Sequence, residues 1–346
     1  MRKYILLSSI LIAAFTGQNL VHAQQDPMFT KYMFNPLNYN PAYAGSAGAL
    51  DLVLLHRHQW WGIKGAPMTQ NFTLHSPIKN KNIGVGLNAS FDQVAVSRQF
   101  NAYGSFAYRI PFGPVGKSGK LSDGGGYVSL GLQGGISNWT ADWTELNIDD
   151  PRDPSFQLND RPNLWLPNFG AGIYVYTRTW YVGFAAPMLI DNVLRKRSPN
   201  ENPDIPIAQQ YRHYYLSGGG VIKLGQVKLR PSVLIKNVGL FLEQNNISKE
   251  LIGAPTEFDI DLALLFNNFF WVGTSFRSSF EFFGGTSSYD SVDFWLSLRL
   301  KNGLRIGAAY DFTLTQLQGP AQGSYELILG YDLIRLVDQV DHVRYF

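Results

Sequence analysis

The sequence predicts an all-β protein, an antiparallel transmembrane β-barrel of about fourteen strands in an outer membrane, with a plug-like N-terminal segment. Three observations carry this. Strand after strand alternates apolar and polar residues over about ten positions, the length a tilted strand needs to cross a bilayer. The chain opens like an exported protein, and nothing after position 23 is long and apolar enough for a spanning helix. The connections between strands alternate between tiny and long, as in bacterial outer-membrane barrels.

Composition narrows the function classes. Charged residues are 16% of the 346 and hydrophobic residues 45%, too apolar for a disordered chain. There are 29 basic and 26 acidic residues. Without Arg2 and Lys3 of the leader the balance is 27 to 26, a net charge of +1. That excludes nucleic-acid binding driven by bulk basicity. The absence of Cys excludes a disulfide scaffold, cysteine zinc sites and thiol catalysis.

The elements follow in chain order. Residues 1–23 read as a secretory signal peptide: a positive Met1-Arg2-Lys3, an apolar run from Tyr4 to Phe15, and Val21-His22-Ala23 for cleavage after Ala23. No Cys follows that point, so no lipoprotein is expected. Residues 24–49 are neither helix nor strand by pattern. They are rich in aromatics and broken by Asp26-Pro27, Asn35-Pro36 and Asn40-Pro41, steps that force extended or turn geometry. A short irregular stretch with this many Tyr, Phe and Met needs burial, so it is expected to plug the barrel or floor it.

The barrel is expected over 50–333. Its strands are read at 50–58, 68–76, 83–92, 99–109, 127–137, 168–177, 179–186, 212–223, 227–237, 257–265, 269–277, 292–300, 303–313 and 324–333. The run 83–92 is the cleanest. Ile83, Val85, Leu87, Ala89 and Phe91 share one face; Gly84, Gly86, Asn88, Ser90 and Asp92 share the other. The even-numbered connections are short, such as Gly225-Gln226 and Asn267-Asn268, apart from the Gly-, Ser- and Lys-rich 110–126. The odd-numbered ones include 138–167, 187–211, 238–256 and 278–291. This orients the barrel with long loops extracellular and both termini periplasmic. Trp180, Phe270 and Tyr331 fall near the short-turn ends, and Phe276, Tyr310, Phe312 and Tyr325 near the long-loop ends, as two interfacial girdles. The face opposite the lipid carries Lys228, Arg230, Lys236, Asp259, Asp261, Arg277, Arg299, Arg305 and Asp311. No selectivity ring of one sign is apparent, so pairing across the lumen is expected. Residues 334–346 form a periplasmic tail. Leu333, Leu336, Val337 and Val340 have helical spacing, whereas the terminal Phe346 resembles a barrel-assembly signal, so helix and strand extension both stay open.

The leader reads Gln25-Asp26-Pro27, Tyr32-Met33-Phe34-Asn35-Pro36 and Asn40-Pro41-Ala42-Tyr43-Ala44-Gly45. His58-Gln59-Trp60-Trp61-Gly62, Gly65-Ala66-Pro67-Met68-Thr69-Gln70, His75-Ser76-Pro77 and Pro167-Asn168-Phe169-Gly170 follow in order. Arg305-Ile306-Gly307, Tyr310-Asp311-Phe312 and Gly330-Tyr331-Asp332 end the series. Together these resemble the PorP/SprF family of the Bacteroidetes type IX secretion system across nearly the whole mature chain. The resemblance implies an outer-membrane barrel that binds, delivers or anchors a secreted cargo protein or gliding adhesin, through the cargo's C-terminal domain, beside other type IX components. Asp26, Pro27, Tyr32, Asn35, Pro36, Asn40, Pro41, Tyr43, Gly45 and Gln59 are the motif positions it marks as structural. The tail beyond Leu333 departs from the family's usual end.

No enzyme and no cofactor are expected. His56 and His58 share one strand face but lack a visible third metal ligand. Asp149, Asp150, Asp153 and Asp160 fit no calcium-loop spacing. Ser76 beside His75 is no hydrolase signature, because neighbours in a strand face opposite ways. A passive porin for small solutes and an outer-membrane hydrolase are the alternatives from other classes. The partner surface is expected at the long-loop rim, where the residue types that dominate binding energy collect. These are Trp60 and Trp61 in 59–67, Trp139, Trp143 and Trp165 in 138–167, and Arg195, Arg197 and Tyr211 in 187–211. Trp60 and Trp61 suit a lipid-interface belt equally well.

Deleting 26–45 should damage the barrel more than deleting 110–126, because the first removes buried aromatics and the second a polar loop. Cold-versus-boiled gel mobility reads the loss; equal loss of the heat-resistant band would refute the expectation.

Overall fold

The computed structural model describes residues 32–78, 82–114, 124–145, 161–195, 208–239, 256–267, 269–280 and 287–333. Fourteen strands follow in order: β1 (Leu50–His58), β2 (Met68–Pro77), β3 (Ile83–Val94), β4 (Ser97–Phe112), β5 (Gly126–Ala141), β6 (Asn163–Thr177) and β7 (Trp180–Ala186), then β8 (His213–Gly220), β9 (Val227–Val238), β10 (Thr256–Phe266), β11 (Phe270–Phe280), β12 (Ser287–Arg299), β13 (Leu304–Thr313) and β14 (Ser324–Leu333). Each pairs antiparallel with its sequence neighbours. β14 also pairs with β1, from Leu50 opposite Leu333 to His58 opposite Tyr325, and closes the ring. The protein is a closed, fourteen-stranded antiparallel β-barrel. Closure leaves no sheet edge in the membrane-spanning wall, which a lipid environment demands because it offers no hydrogen bonds of its own.

One strand is interrupted. β8 resumes as Ile222–Leu224 without changing register on β9: Gly219 lies opposite Ser232 and Ile222 opposite Leu229. The ladder breaks opposite Pro231, which has no N–H to give. On the other side the ladder to β7 continues unbroken, with the Val221 N–H donating to the Thr179 carbonyl (2.7 Å).

The period-two pattern sorts the faces. Outward side chains form an apolar band around the wall, from Leu54 on β1 through Leu87, Leu132, Phe169, Val182, Ile260, Phe294 and Ile306 to Leu329 on β14, all exposed. Trp180 and Tyr331 stand out from the wall near the short-turn end, and Tyr310, Phe312 and Tyr289 near the other, with Tyr310 and Phe312 edge to face at 4.8 Å. Inward positions are buried and largely polar.

The strands expected from the sequence are present, but several are longer at the long-loop end. β4 and β5 have 16 residues and β6 has 15, whereas β7 has seven. The expected loop 138–167 therefore shrinks to 142–162, and 278–291 to 281–286. The β3–β4 connection is only Ala95 and Val96, with Ala95 at φ +50°. The sequence reading stopped these strands where the apolar alternation stopped, yet backbone pairing continues past the level at which one face must be apolar. A separate two-stranded ribbon, Asn192–Arg195 against Ala208–Gln210, lies between β7 and β8.

Residues 32–45 run inside the barrel. Three single-turn 3-10 segments, Tyr32–Phe34, Pro36–Asn38 and Pro41–Tyr43, make up most of this stretch. Pro36 and Pro41 each open a turn, where a missing N–H costs nothing. Leu37, Ala42 and Ala44 are 0% exposed. The segment passes close to the wall where the wall has glycine. A Cβ on Gly131 would fall 2.1 Å from the Ala42 nitrogen, and one on Gly84 2.0 Å from the Ala44 oxygen.

Gly131→Val should therefore push the inner segment off β5 and destabilise the barrel by about 1–3 kcal/mol or more, as overpacking does. Gly104→Ala, whose Cβ meets nothing nearer than 4.0 Å, should be neutral. Denaturant midpoints in detergent check both.

Candidate functional site

The lumen wall is built from charges that the inward parity of β1 and β9–β14 brings together. The Arg277 guanidinium grips Asp259 with two bonds, Nε to Oδ1 at 2.7 Å and Nη2 to Oδ2 at 3.0 Å. Arg57 lies between Asp311 (2.6 Å) and Glu326 (3.3 Å). Arg305 bridges Asp51 (2.6 Å) and Asp332 (3.2 Å), and Arg299 also reaches Asp332 at 2.6 Å. Lys236 pairs with Glu257 at 3.6 Å. Asp261 accepts from Ser275 Oγ and Trp295 Nε1, both at 2.7 Å, with Arg230 at 3.6 Å. The lumen charges are extensively paired, but along the wall between strands one or two apart rather than across the lumen as expected, because inward side chains of neighbouring strands already lie within reach of one another. The pairs include Asp51, Arg57, Glu257, Glu326 and Asp332, which the sequence reading did not count among the lumen charges. Their parity with apolar outward neighbours on the same strands is the signal that could have found them.

The inner segment fastens onto this wall and onto the polar wall opposite. The Tyr32 hydroxyl donates to Ser232 Oγ (3.1 Å). Phe34 stands edge to face on Trp295 at 5.0 Å, and the Arg230 guanidinium lies 4.7, 5.6 and 5.8 Å from the Trp271, Trp295 and Phe34 rings, a cation–π cage. Asn35 donates to Asn71 (2.6 Å) and accepts from Thr73 (2.8 Å). Asn40 caps its own turn by accepting from the Ala42 N–H (3.0 Å) and donates to the Ile173 carbonyl (3.1 Å). Tyr43 packs edge on against His75 and Tyr174. At the exit, the Gly45 N–H donates to His75 Nδ1 (3.1 Å), and Arg109 donates to the Gly45 carbonyl (2.5 Å). Seven of the ten family-motif positions, Tyr32, Asn35, Pro36, Asn40, Pro41, Tyr43 and Gly45, sit here. Gln59 lies at the rim, where its N–H donates to the Pro67 carbonyl (2.9 Å). Asp26 and Pro27 fall outside the described residues.

The rim residues do not form one surface. Trp139 is not in a loop but on β5, facing inward, and packs against Trp143 at 6.3 Å. Trp165 is on β6 and faces outward, 61% exposed. The two belong to opposite sides of one extended ladder, which corrects their expected place in a common loop. Trp61 also faces outward, against Tyr325 (5.2 Å) and His58 (6.5 Å). Its N–H donates to the Gly323 carbonyl (2.8 Å), while the Trp60 N–H donates to Ser324 Oγ (3.1 Å) and Trp60 adopts φ +51°. Tyr211 sits beside Asp191; its phenol is pushed up by burial and then by that carboxylate. Arg195 is on the ribbon. Arg197, the cluster Asp149, Asp150, Asp153 and Asp160, the signal peptide and the tail lie outside the described residues.

The polar contacts that shape the mouth were not foreseen. Arg212 grips Asp191 through its guanidinium and backbone N–H (2.9–3.0 Å). Gln210 donates to Gln99 of β4 (3.3 Å), drawing the ribbon across the mouth. After β7 the chain turns inward. The Pro187 carbonyl accepts from Gln133 (2.8 Å), and Asn168 accepts from the Leu189 and Ile190 N–H groups (3.0 Å each). Outside, Arg161 meets Asp142 at 3.2 Å; the Thr144 hydroxyl, first among the causes, holds the Asp142 carboxyl below its usual range. His56 and His58 both face outward with Tyr325, and His58 Nδ1 lies 3.2 Å from its hydroxyl. Among the described residues no three potential ligands gather for a metal.

With this geometry in view, a family model described as type IX secretion system membrane protein PorP/SprF matches residues 21–331. The chain belongs to the PorP/SprF family. It is an outer-membrane β-barrel and a membrane component of type IX secretion. No curated protein matches it. Among solved structures this PorP/SprF chain is similar to the outer membrane protein Omp33 of Acinetobacter baumannii, at 7% identity over 83% of this chain and 99% of that one, with a TM-score of 0.42. It is also similar to the KdgM porin (9%, 82% and 99%, TM-score 0.35) and to Haemophilus ducreyi BamA lacking POTRA domains 1–3 (9%, 82% and 70%, TM-score 0.40). At such scores the fold is read from the strand pairing itself.

Breaking one lumen pair tests how the wall is held. Arg277→Met leaves Asp259 buried without its guanidinium and should cost about 3–5 kcal/mol. Arg277→Met with Asp259→Leu should recover most of that loss in the same denaturant titration.

Proposed function

We propose that this barrel holds a secreted type IX cargo protein or gliding adhesin at the cell surface, gripping the cargo's C-terminal domain with its long-loop end. The long loops face outside, and the short turns and both termini face the periplasm. Residues 24–49 serve as a plug, so the barrel is an anchor rather than a pore. The observation that carries this reading is the segment 32–45 buried inside the barrel. An aromatic segment with fully buried side chains lies where a porin would keep a water-filled path, in a family whose business is secretion. The rim supplies the contacts: Trp143 with Trp139 inside the mouth, Trp165 outside it, and the ribbon bearing Arg195, followed by Tyr211, across it; Arg197 is a further candidate by sequence. Trp60 and Trp61 serve the lipid interface, as the packing of Trp61 on outward-facing Tyr325 supports.

Purified barrel in planar bilayers should show no steady wide-pore conductance. Steady conductance would favour the passive porin. Trp143→Ala with Trp165→Ala should lower surface retention of the cargo that copurifies from native membranes, with the heat-resistant folded band intact. Retention that survives this change but is lost when 110–126 is replaced would place the contact in the periplasm.

A further inference from the structure

The wall is not equally high all round. β6 pairs with β5 along its whole length, from Asn163 opposite Thr140 to Thr177 opposite Gly126. On its other side β7 covers only Ala171 to Tyr176. Above that, the Phe169 carbonyl accepts from the Leu189 N–H (2.8 Å), and the Phe169 N–H is taken by the Asn168 side chain (2.9 Å). From Asn163 to Pro167 no described residue pairs with this side of β6.

In an antiparallel ladder the hydrogen-bonding direction alternates residue by residue. Phe169 points its backbone groups to the β7 side, so Asn163, Trp165 and Pro167 do too. Among the described residues, that side leaves without a partner the N–H and C=O of Asn163 and Trp165 and the C=O of Pro167. Proline in a strand belongs at such an edge. Counting about ten residues of span from Thr177 at the short-turn end places the lipid limit near Asn168. The free edge stands beyond it, where lipid tails do not reach. Below that limit, where an open edge would not be tolerated, Asn168 and the inward-turning Pro187–Ile190 segment close it.

We propose that the β6 edge from Asn163 to Pro167 takes up an extended segment of the secreted polypeptide as an added β-strand. The occupant is fixed by chemistry: alternating backbone donors and acceptors at strand spacing are matched by another extended backbone and by no lipid or solute. The source is the exported partner rather than the ribbon, which is drawn to Gln99 on the inner face of β4. Trp165, outward on this edge and 61% exposed, would pack on the incoming strand's side chains, while the backbone supplies hydrogen bonds independent of sequence. This rests on the anchoring role proposed above and names the mode of contact.

The test uses the full-length barrel isolated from native membranes with its copurifying secreted protein, compared with the same barrel after denaturant stripping and refolding. Amide hydrogen exchange is read residue by residue. The Trp165 amide should exchange freely in the stripped barrel and slow by about tenfold or more in the complex. The Leu164 and Leu166 amides, bonded to β5, should be slow in both. Trp165→Pro, which removes that N–H at a position already beside Pro167, should lower retention of the secreted protein roughly tenfold. Trp165→Ala, which keeps the N–H, should lower it less. Protection of Trp165 in the stripped barrel would mean the chain covers its own edge and overturns the proposal. Unchanged exchange in the complex, or equal retention by the Pro and Ala variants, overturns it while leaving the anchoring role intact. A barrel that carries no secreted protein from native membranes overturns the anchoring role, and the proposal with it.

Discussion

Every backbone N–H and C=O at membrane depth must find a partner within the protein, and most of this architecture follows from that constraint. It sets the pairing of β14 with β1 and makes the weak places informative. Where Pro231 cannot donate, the β8–β9 ladder opens for two residues, while the Val221 N–H keeps β8 tied to the β7 side through the Thr179 carbonyl. Where β7 stops short, Asn168 and the segment after Ala186 take over the polar groups of β6. Both repairs leave the ring closed, and both fall beside the shortest strand of the barrel.

The inside answers a second requirement. Inward positions carry buried charges, and removing either member of a buried pair is costly even where the pair itself adds little. The wall satisfies them by short contacts between strands one or two apart, such as Arg277 with Asp259 on adjacent strands and Arg57 on β1 with Asp311 on β13. The inner segment then completes a polar lumen with an aromatic filling. Tyr32, Phe34, Tyr39 and Tyr43 bring apolar area, while Asn35, Asn38 and Asn40 satisfy Asn71, Asn88 and the Ile173 carbonyl. Contacts on opposite walls tie strands that never pair, and a barrel tied across its lumen makes a stiff support for whatever docks at its rim.

The rim is asymmetric because strand length is. β3 to β6 rise past the level of the lipid, and β7 and β8 do not. The result is a projecting sheet with an inner side bearing Gln99, Trp139 and Leu166 and an outer side bearing Trp165. The ribbon folds over the mouth from the low side toward the inner face.

The sequence by itself determined the fold class, the number and order of strands, and which side chains face lipid. Those features rest on a local alternation, imposed because one face must be apolar over about ten residues. The leader was legible in part. Its prolines and aromatics marked an irregular segment that needs burial, and Asn40 and Pro41 carry a turn signature of their own. The partners of that segment were not legible, because Ala42 against Gly131 and Asn35 against Asn71 are contacts between residues far apart in the chain. Only the tertiary structure decided where strands continue beyond the membrane, since there the alternation no longer has lipid to enforce it and backbone pairing alone sets the length. For that reason Trp139 and Trp165, neighbours in one loop by sequence, stand on opposite faces of a ladder. The closure of β14 on β1 gives every strand two neighbours, but the height of each strand is a property of its pair, and among the described residues β6 outruns its partner because β7 ends early.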